Sequence, residues 1–440
     1  MSIHEDNETN SEYSMYSGNG SDNESDNESD SGWDGGKIKF GIPNKEFMDI
    51  IESVNEIFPG SILEFDLIDL LGYIDISVEM EDEMRQALGI PNEVVRIRFM
   101  FDKGLKDIPN CNVLNGGEIQ YQLNQAVLWV LQKHKNDARN ILITLISTIT
   151  DRIQYCGNYC PMCHQKHNYP GLKPVVCNNP LCYMQYTELG MGPNPETEIH
   201  NHPDICDLLI NFTYIAANSH RAQDIMTPFP YRFIENGKKN IESVKKALDA
   251  FPSVEEMCEF KDLRNELDLL HPDAYYLLRW ILSTNRCHLK AVENEDEYIK
   301  KQAGDLHFKK VFHIMHLPPE QQSAFQKRKA NDGVVSLWHG SSSENWHNIL
   351  RNSLKNYSGT KCQCNGNAYG SGVYLSFGHY TANGYSRCSS SARWSKSTMC
   401  GTDTRCLLLC NVIKDDKTKH GDIYVIPDEE CIAMTHLFLC

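Results

Sequence analysis

LWHGSSSENWHNILRNSLKNYSGTKCQCNGNAYGSGVYLSFGHYTANGY, residues 337–385, is the stretch that decides how this chain folds. The apolar run Val334-Val335-Ser336-Leu337-Trp338 predicts a strand that delivers His339-Gly340-Ser341. Ser342 to Asn345 then opens a helix carrying Trp346, Ile349 and Leu350 on one face. After a loop rich in Gly, Asn and Ser comes Gly370-Ser371-Gly372-Val373-Tyr374-Leu375-Ser376, a second short strand framed by glycines that let another group approach the backbone closely. Tyr385 stands eleven residues after Tyr374. A histidine, a bare glycine backbone and two tyrosines suit a flat, polar aromatic ligand with ribose attached. Glycine N–H and C=O groups pair with a carboxamide, a tyrosine face stacks on a ring, and an imidazole holds a ribose hydroxyl.

HGS with the helix ENWHNILRNSL, then YGSGVYLS, then a further Tyr, resembles the catalytic domain of the poly(ADP-ribose) polymerase (PARP) superfamily of NAD-dependent ADP-ribosyltransferases. The family's third signature position lies on a late strand, and Gly421-Asp422-Ile423-Tyr424-Val425-Ile426-Pro427 stands where that strand should be. Polymer-forming members carry Glu where this chain has Ile423, so His, Tyr, Ile is similar to the mono-ADP-ribosylating branch. KKNIESVKKALDAFPSVEEM (238–257) and LLHPDAYYLLRWILSTNRCHL (269–289) resemble segments of one cysteine-rich subgroup of that branch, and the resemblance covers roughly residues 150–440.

The resemblance implies a fold, a reaction and roles. The fold is α+β and multidomain, ending in a split, mostly antiparallel sheet. The reaction is transfer of one ADP-ribose from NAD to a protein side chain, the protein's own included, with release of nicotinamide. His339 would hold the adenosine ribose hydroxyls, and Gly340, beside Ser341, would bond the carboxamide through its backbone. Tyr385 would stack on the nicotinamide ring and Tyr374 would line the opposite side. Two departures matter. The family usually has Ser three residues before the stacking tyrosine, where this chain has Ala382 with Thr381 beside it, so either Thr381 replaces that hydroxyl or nicotinamide is held less firmly. Ile423 can neither orient a ribose hydroxyl nor serve as a base, so chains should not form. A catalytically weak or inactive module that binds NAD or ADP-ribose is the alternative.

The remaining composition bounds the chain. Its 440 residues are a prior of about three domains. A hydrophobic fraction of 41% and a charged fraction of 23% are ordinary globular usage. With 42 basic against 59 acidic side chains the net charge is -17, which does not suggest attraction to a nucleic-acid backbone. No apolar run is long enough for a membrane span and no leader pattern opens the chain, so a non-secreted protein is expected. The 17 cysteines of a chain this long point to metal ligands and buried thiols in a reducing intracellular compartment, cytoplasm or nucleus.

Residues 1–36, with SDNESDNESDSGWDGG, are acidic and nearly free of aliphatic side chains, which predicts a disordered tail. Residues 37–153 predict an α+β module. Phe47, Ile50, Ile51, Val54, Ile57 and Phe58 are at helical spacing before Pro59-Gly60, and Ile74, Ile76 and Val78 alternate with Asp75, Ser77 and Glu79, as Val95, Ile97 and Phe99 do with Arg96 and Arg98. Two helical stretches follow. The module faintly resembles the RWD and ubiquitin-conjugating fold without a catalytic cysteine, whose place falls near Gln120; an adaptor role in the ubiquitin pathway rests on that likeness alone.

Residues 154–195 carry the cysteine cluster. Cys160-x2-Cys163 and Cys177-x4-Cys182, thirteen residues apart, can place four thiolates at the corners of a tetrahedron, the geometry of a closed structural Zn²⁺ site. Cys156, His164 and His167 are alternative ligands. Residues 196–330 predict a helical region, with Ala274, Leu277, Leu278, Ile281 and Leu282 forming a core stripe joined by Trp280 and Met257. The resemblance implies a transferase domain over residues 331–440, with strands expected at Leu407 to Ile413, Ile423 to Ile426 and His436 to Leu439. Lys361-Cys362-Gln363-Cys364 lacks a partner pair and predicts a loop on the acceptor side.

Overall fold

The computed structural model describes residues 45–440 except 69–70, 81, 91–93, 102–109, 115–118, 134–137, 168–170, 178, 294–295, 316–318, 361–367, 388–392 and 402. The chain divides into Met1–Gly41 and Ile42–Cys440, and every described residue belongs to the second unit. The acidic tail and the loop of Lys361 to Cys364 lie outside the described residues.

The first helical pattern folds as α1 (Lys45–Ile57), with Ile50, Ile51 and Val54 buried along one face. Gly60 sits at φ 76° just beyond it, a left-handed conformation that suits glycine and stops the helix. Strands β1 (Ile62–Ile68), β2 (Leu71–Glu79), β3 (Val94–Phe101) and β4 (Asn110–Val113) follow as an antiparallel meander in that order. Val95, Ile97 and Phe99 of β3 are fully buried under α2 (Gln120–Lys133) and α3 (Ala138–Gln154) in one cluster with Leu123, Val127, Leu142 and Leu145.

One side chain departs from the alternation of β2. Asp75, placed by pattern on the polar face, is fully buried, and its cross-strand partner Arg98 holds its two carboxylate oxygens at 2.7 and 2.7 Å. A buried carboxylate is tolerated only with such a partner, and Arg96 adds a second cation at 3.7 Å.

The helical region is built around α4 (Pro203–Ala217), which is apolar nearly all round and buried from Cys206 through Thr213. Helices α5 (Ile241–Asp249) and α6 (Ala274–Ser283) pack on it, and the expected stripe of Ala274, Leu277, Leu278, Ile281 and Leu282 is buried together with Trp280 and Met257. Two of the three buried polar residues of α4, Asp207 and Asn211, reach across to the last domain: Asp207 Oδ2 accepts from the Thr398 N–H at 2.8 Å, and Asn211 Oδ1 accepts from the Trp394 N–H at 3.0 Å.

Among the described residues, eight strands make the large sheet: β5 (His288–Val292), β6 (Lys310–Met315), β7 (Val334–Gly340), β8 (Val373–Ser376), β9 (Cys406–Ile413), β10 (Lys419–His420), β11 (Ile423–Ile426) and β12 (Ile432–Leu439). Their order is β10-β11-β8-β7-β9-β12-β6-β5, with every neighbouring pair antiparallel. Periodicity predicts a mostly helical region over residues 196–330, and the structure adds β5 and β6 there. HLKAV and KVFHIM mix His and Lys into short apolar runs, so their period-two signal is faint.

Strand β9 explains why LLLCNVI has no polar face. Leu408, Cys410 and Val412 join the core shared with α4 and α6, and Leu407 and Leu409 join a smaller cluster with Val311, Trp338, Ala382 and Phe438. Between β7 and β8 the ladder nearly stops, because the two strands share a single register pair, Ser376 with Trp338. The sheet is therefore split there, and α7 (Trp346–Asn352) and α8 (His379–Tyr385) flank the opening.

Candidate active site and metal centre

The split in the sheet holds a cleft of about 240 Å³, and His339, Gly340, Ser341, Tyr374, Thr381, Tyr385 and Ile423 all line it. His339, near the end of β7, crosses the split with its side chain: Nδ1 donates to the Tyr374 carbonyl at 2.9 Å. A carbonyl only accepts, so the proton of the neutral ring sits on Nδ1 and Nε2 is an acceptor. Burial holds this imidazole below the usual histidine range, partly offset by the bond to Tyr374, so the ring is neutral at physiological pH.

Gly340 follows for a steric reason. A Cβ at this position would stand 1.7 Å from the carbonyl oxygen of Ala382, so only glycine lets β7 lie against the backbone of α8. Gly372 has a similar account: a Cβ there would meet Val425 Cγ1 at 2.7 Å, so the group that approaches this backbone is β11 of the same chain. The Tyr374 hydroxyl donates to the Gly370 carbonyl at 2.8 Å and accepts from the Tyr369 N–H at 3.0 Å, which fastens the turn entering β8. Ser341 Oγ accepts from Asn345 Nδ2 at 3.0 Å.

Tyr385 ends α8 and is 46% exposed. Ile423 begins β11 opposite Ser376. Thr381 is committed elsewhere, because its hydroxyl donates to Asp422 Oδ2 at 2.9 Å, and Ala382, which also lines the cleft, has no hydroxyl.

Two cations in the cleft carry no sequence signal. Arg221 comes from the helical region and pairs with Glu344 Oε1 at 2.9 Å and Asn345 Oδ1 at 3.2 Å. Lys355, after α7, bonds Glu429 Oε2 at 2.8 Å; burial lowers its pKa and the Glu429 partner raises it. Neither belongs to a local motif, and their glutamate partners are 123 and 74 residues away in the chain. No Asp or Glu is among the described residues lining the cleft.

The cysteine segment forms the second centre. The sulfurs of Cys160, Cys163, Cys177 and Cys182 lie within 4.8 Å of one another, so the four can hold a metal ion. The Cys163 to Cys177 separation is 3.8 Å, and a tetrahedron with metal–sulfur bonds of about 2.3 Å has edges of about 3.8 Å. Burial and the neighbouring Cys160 push the Cys177 thiol up to about 11. The alternative ligands are engaged otherwise. The Cys156 thiol donates to the Leu172 carbonyl at 3.5 Å and His167 Nε2 donates to the Val175 carbonyl at 2.8 Å, while His164 is not among the four residues gathered around the centre.

Residues 290–438 match the poly(ADP-ribose) polymerase catalytic domain, and residues 197–282 match the ARTD15 N-terminal domain. Protein mono-ADP-ribosyltransferase PARP8 of Mus musculus is 31% identical over 339 residues, which cover 68% of this chain and 39% of that protein. The Homo sapiens PARP8 gives the same identity and coverage. Protein mono-ADP-ribosyltransferase PARP16 of Homo sapiens is 26% identical over 220 residues, covering 48% of this chain and 63% of that protein. The chain thus spans 39% of the length of the PARP8 proteins it matches.

Proposed function

We propose, from the premise that this chain belongs to the poly(ADP-ribose) polymerase superfamily and carries its catalytic domain over residues 290–438, that it transfers a single ADP-ribose from NAD to a protein side chain. The observation that carries this reading is the cleft itself: His339, Gly340, Tyr374 and Tyr385 converge on one cavity that Ile423 also lines, at the position where the resemblance to polymer-forming members calls for Glu.

Cleavage of the bond between the ribose C1′ and the nicotinamide nitrogen sends the electron pair to the ring, which loses its positive charge and leaves as nicotinamide. The acceptor side chain attacks C1′, and any proton it carries passes to solvent. Such a reaction needs positioning more than titrating groups. His339 Nε2 accepts from an adenosine ribose hydroxyl, the Gly340 backbone pairs with the carboxamide, and Tyr385 and Tyr374 enclose the nicotinamide ring. Ser341 stands beside that backbone contact. Arg221 and Lys355 supply positive potential for the diphosphate. Ile423 offers no acceptor to a ribose hydroxyl, so elongation stops after one unit.

The four-cysteine cluster is filled by Zn²⁺ in this reading. A donor set of four thiolates leaves no open position, so the metal would hold the segment together and take no part in transfer. Acceptor proteins, the chain itself among them, supply the side chain.

A binding module without turnover is the second reading. The Thr381 to Asp422 bond and the Ala382 methyl favour it, because they remove a hydroxyl that would otherwise hold the carboxamide. The test is incubation of the purified protein with labelled NAD, followed by gel and intact mass, beside Tyr385→Ala and His339→Ala. Discrete additions of one ADP-ribose, absent from both variants, are expected. A high-mass ladder would overturn the role given to Ile423. NAD-dependent thermal stabilisation with no label would move the assignment to the binding module.

A further inference from the structure

The helical region reaches the cleft at one corner. Ser219 and Arg221, which follow α4 in the chain, close on Glu344 in the short turn between β7 and α7. The Ser219 hydroxyl donates to Glu344 Oε2, and Arg221 Nη1 donates to Glu344 Oε1 at 2.9 Å. The side chains of this ion pair are only 15% and 14% exposed, so the carboxylate fixes the guanidinium in one place. The same Nη1 donates to Asn345 Oδ1 at 3.2 Å, and Asn345 Nδ2 in turn donates to Ser341 Oγ at 3.0 Å. Arg221, Asn345 and Ser341 all line the cleft.

The first member of this relay dictates the direction of the rest. A guanidinium has no acceptor, so Asn345 must turn its oxygen to Arg221 and its NH₂ group to Ser341. An amide NH₂ only donates, so the Ser341 oxygen accepts and its own proton points away from Asn345. Without Arg221 the amide is free to turn over. Its oxygen would then take the Ser341 proton, and Ser341 would show the cleft lone pairs alone.

We propose that Arg221 is a positioning residue for the transfer reaction: acting through Asn345, it makes Ser341 a hydrogen-bond donor to an oxygen of NAD. The inference rests on the reading of the cleft as the NAD site. The diphosphate and carboxamide oxygens of NAD only accept, so a donor at Ser341 gains a hydrogen bond where a lone pair would face another lone pair. The helical region thereby sets the polarity of a hydroxyl that belongs to the transferase domain.

The test is calorimetric titration of the full chain with NAD. It compares the wild type with Arg221→Met, Ser341→Ala and the double variant, each checked for its melting transition. Loss of the guanidinium charge weakens binding in both backgrounds alike and cancels in the ratio. Arg221→Met is expected to weaken NAD binding about three- to tenfold more in the wild-type background than in Ser341→Ala, the range of one neutral hydrogen bond. Asn345→Ala in the same two backgrounds should show the same dependence on Ser341, which keeps the proposal testable if Arg221→Met fails to fold. Arg221→Lys, also a cation that only donates, should recover most of the lost affinity. A parallel titration with ADP-ribose places the oxygen: a Ser341→Ala loss seen with both ligands puts it on the ADP-ribose part, and a loss with NAD alone puts it on the carboxamide. NAD binding unchanged by Ser341→Ala, losses equal in the two backgrounds, or Arg221→Lys no better than Arg221→Met would each overturn the proposal and leave the NAD cleft standing. Absence of NAD binding by the wild type would overturn the reading of the cleft and the proposal with it.

Discussion

At the scale of single residues, nicotinamide recognition depends on one missing hydroxyl. Ala382 is buried, lines the cleft and carries only a methyl group, and Thr381 beside it gives its proton to Asp422. Ala382→Ser should therefore restore a donor to the carboxamide. One neutral hydrogen bond is worth about 0.5–1.5 kcal/mol, so the KM for NAD should fall by a factor of roughly 2 to 10. Steady-state kinetics with labelled NAD checks this, and an unchanged or raised KM would mean that the hydroxyl does not reach the ligand. Tyr385 makes a cleaner probe than His339, because it is half exposed and its removal leaves the fold alone, whereas His339 spans the split in the sheet.

At the scale of elements, the cleft exists because β7 and β8 part after one register pair and α8 then lies flush on β7. Gly340 is the point of contact. Gly340→Ala would drive a Cβ into a backbone oxygen that has no flexible end to yield, so α8 must move away from the strand. We expect a loss of about 1–3 kcal/mol of stability together with loss of NAD binding, since Ala382 and Tyr385 ride on the displaced helix. Chemical denaturation alongside NAD titration measures the two effects. A variant that melts like the wild type and still binds NAD would show that the close approach is not needed.

At the scale of the whole molecule, the cysteine segment ties two cores together. Cys156 and Leu172 belong to the cluster under α2 and α3, and Cys160, Val176 and Cys182 belong to the one around α4. Metal analysis should find one zinc per chain, and its removal by a strong chelator should lower the melting temperature by more than about 5 °C. A metal-free protein with an unchanged melting curve would exclude the structural role. No helix among the described residues is long and apolar enough to cross a membrane.

Two half-buried histidines weaken the fold in acid. Burial, then Lys173 and His202, holds His288 at about 4, and burial with His313 holds His436 at about 4. Their unfolded counterparts take up a proton near pH 6.5, so protonation favours the unfolded chain below that value. Stability from these groups is intact above about pH 6.5 and is lost progressively as pH falls toward 4. Thermal melts from neutral pH down to about 4.5 should follow that decline, and a flat profile would contradict it.

What the amino-acid sequence determined by itself was whatever local order encodes. The β7 strand with HGS, the YGSGVYLS strand, the second tyrosine and the paired cysteines were legible because each is a short motif whose spacing survives folding. The period-3.6 stripe of α6 was legible because one face had to be buried. Strands β5 and β6 were not, since His and Lys blur a short alternation that the sheet's register, not local propensity, makes into strands. The burial of Asp75 against Arg98, the delivery of Arg221 into the cleft and the diversion of Thr381 to Asp422 were decided by the tertiary structure alone. Those charges and hydroxyls find partners through chain crossings of 23 to 123 residues, and only the packed core brings such distant positions within hydrogen-bonding reach.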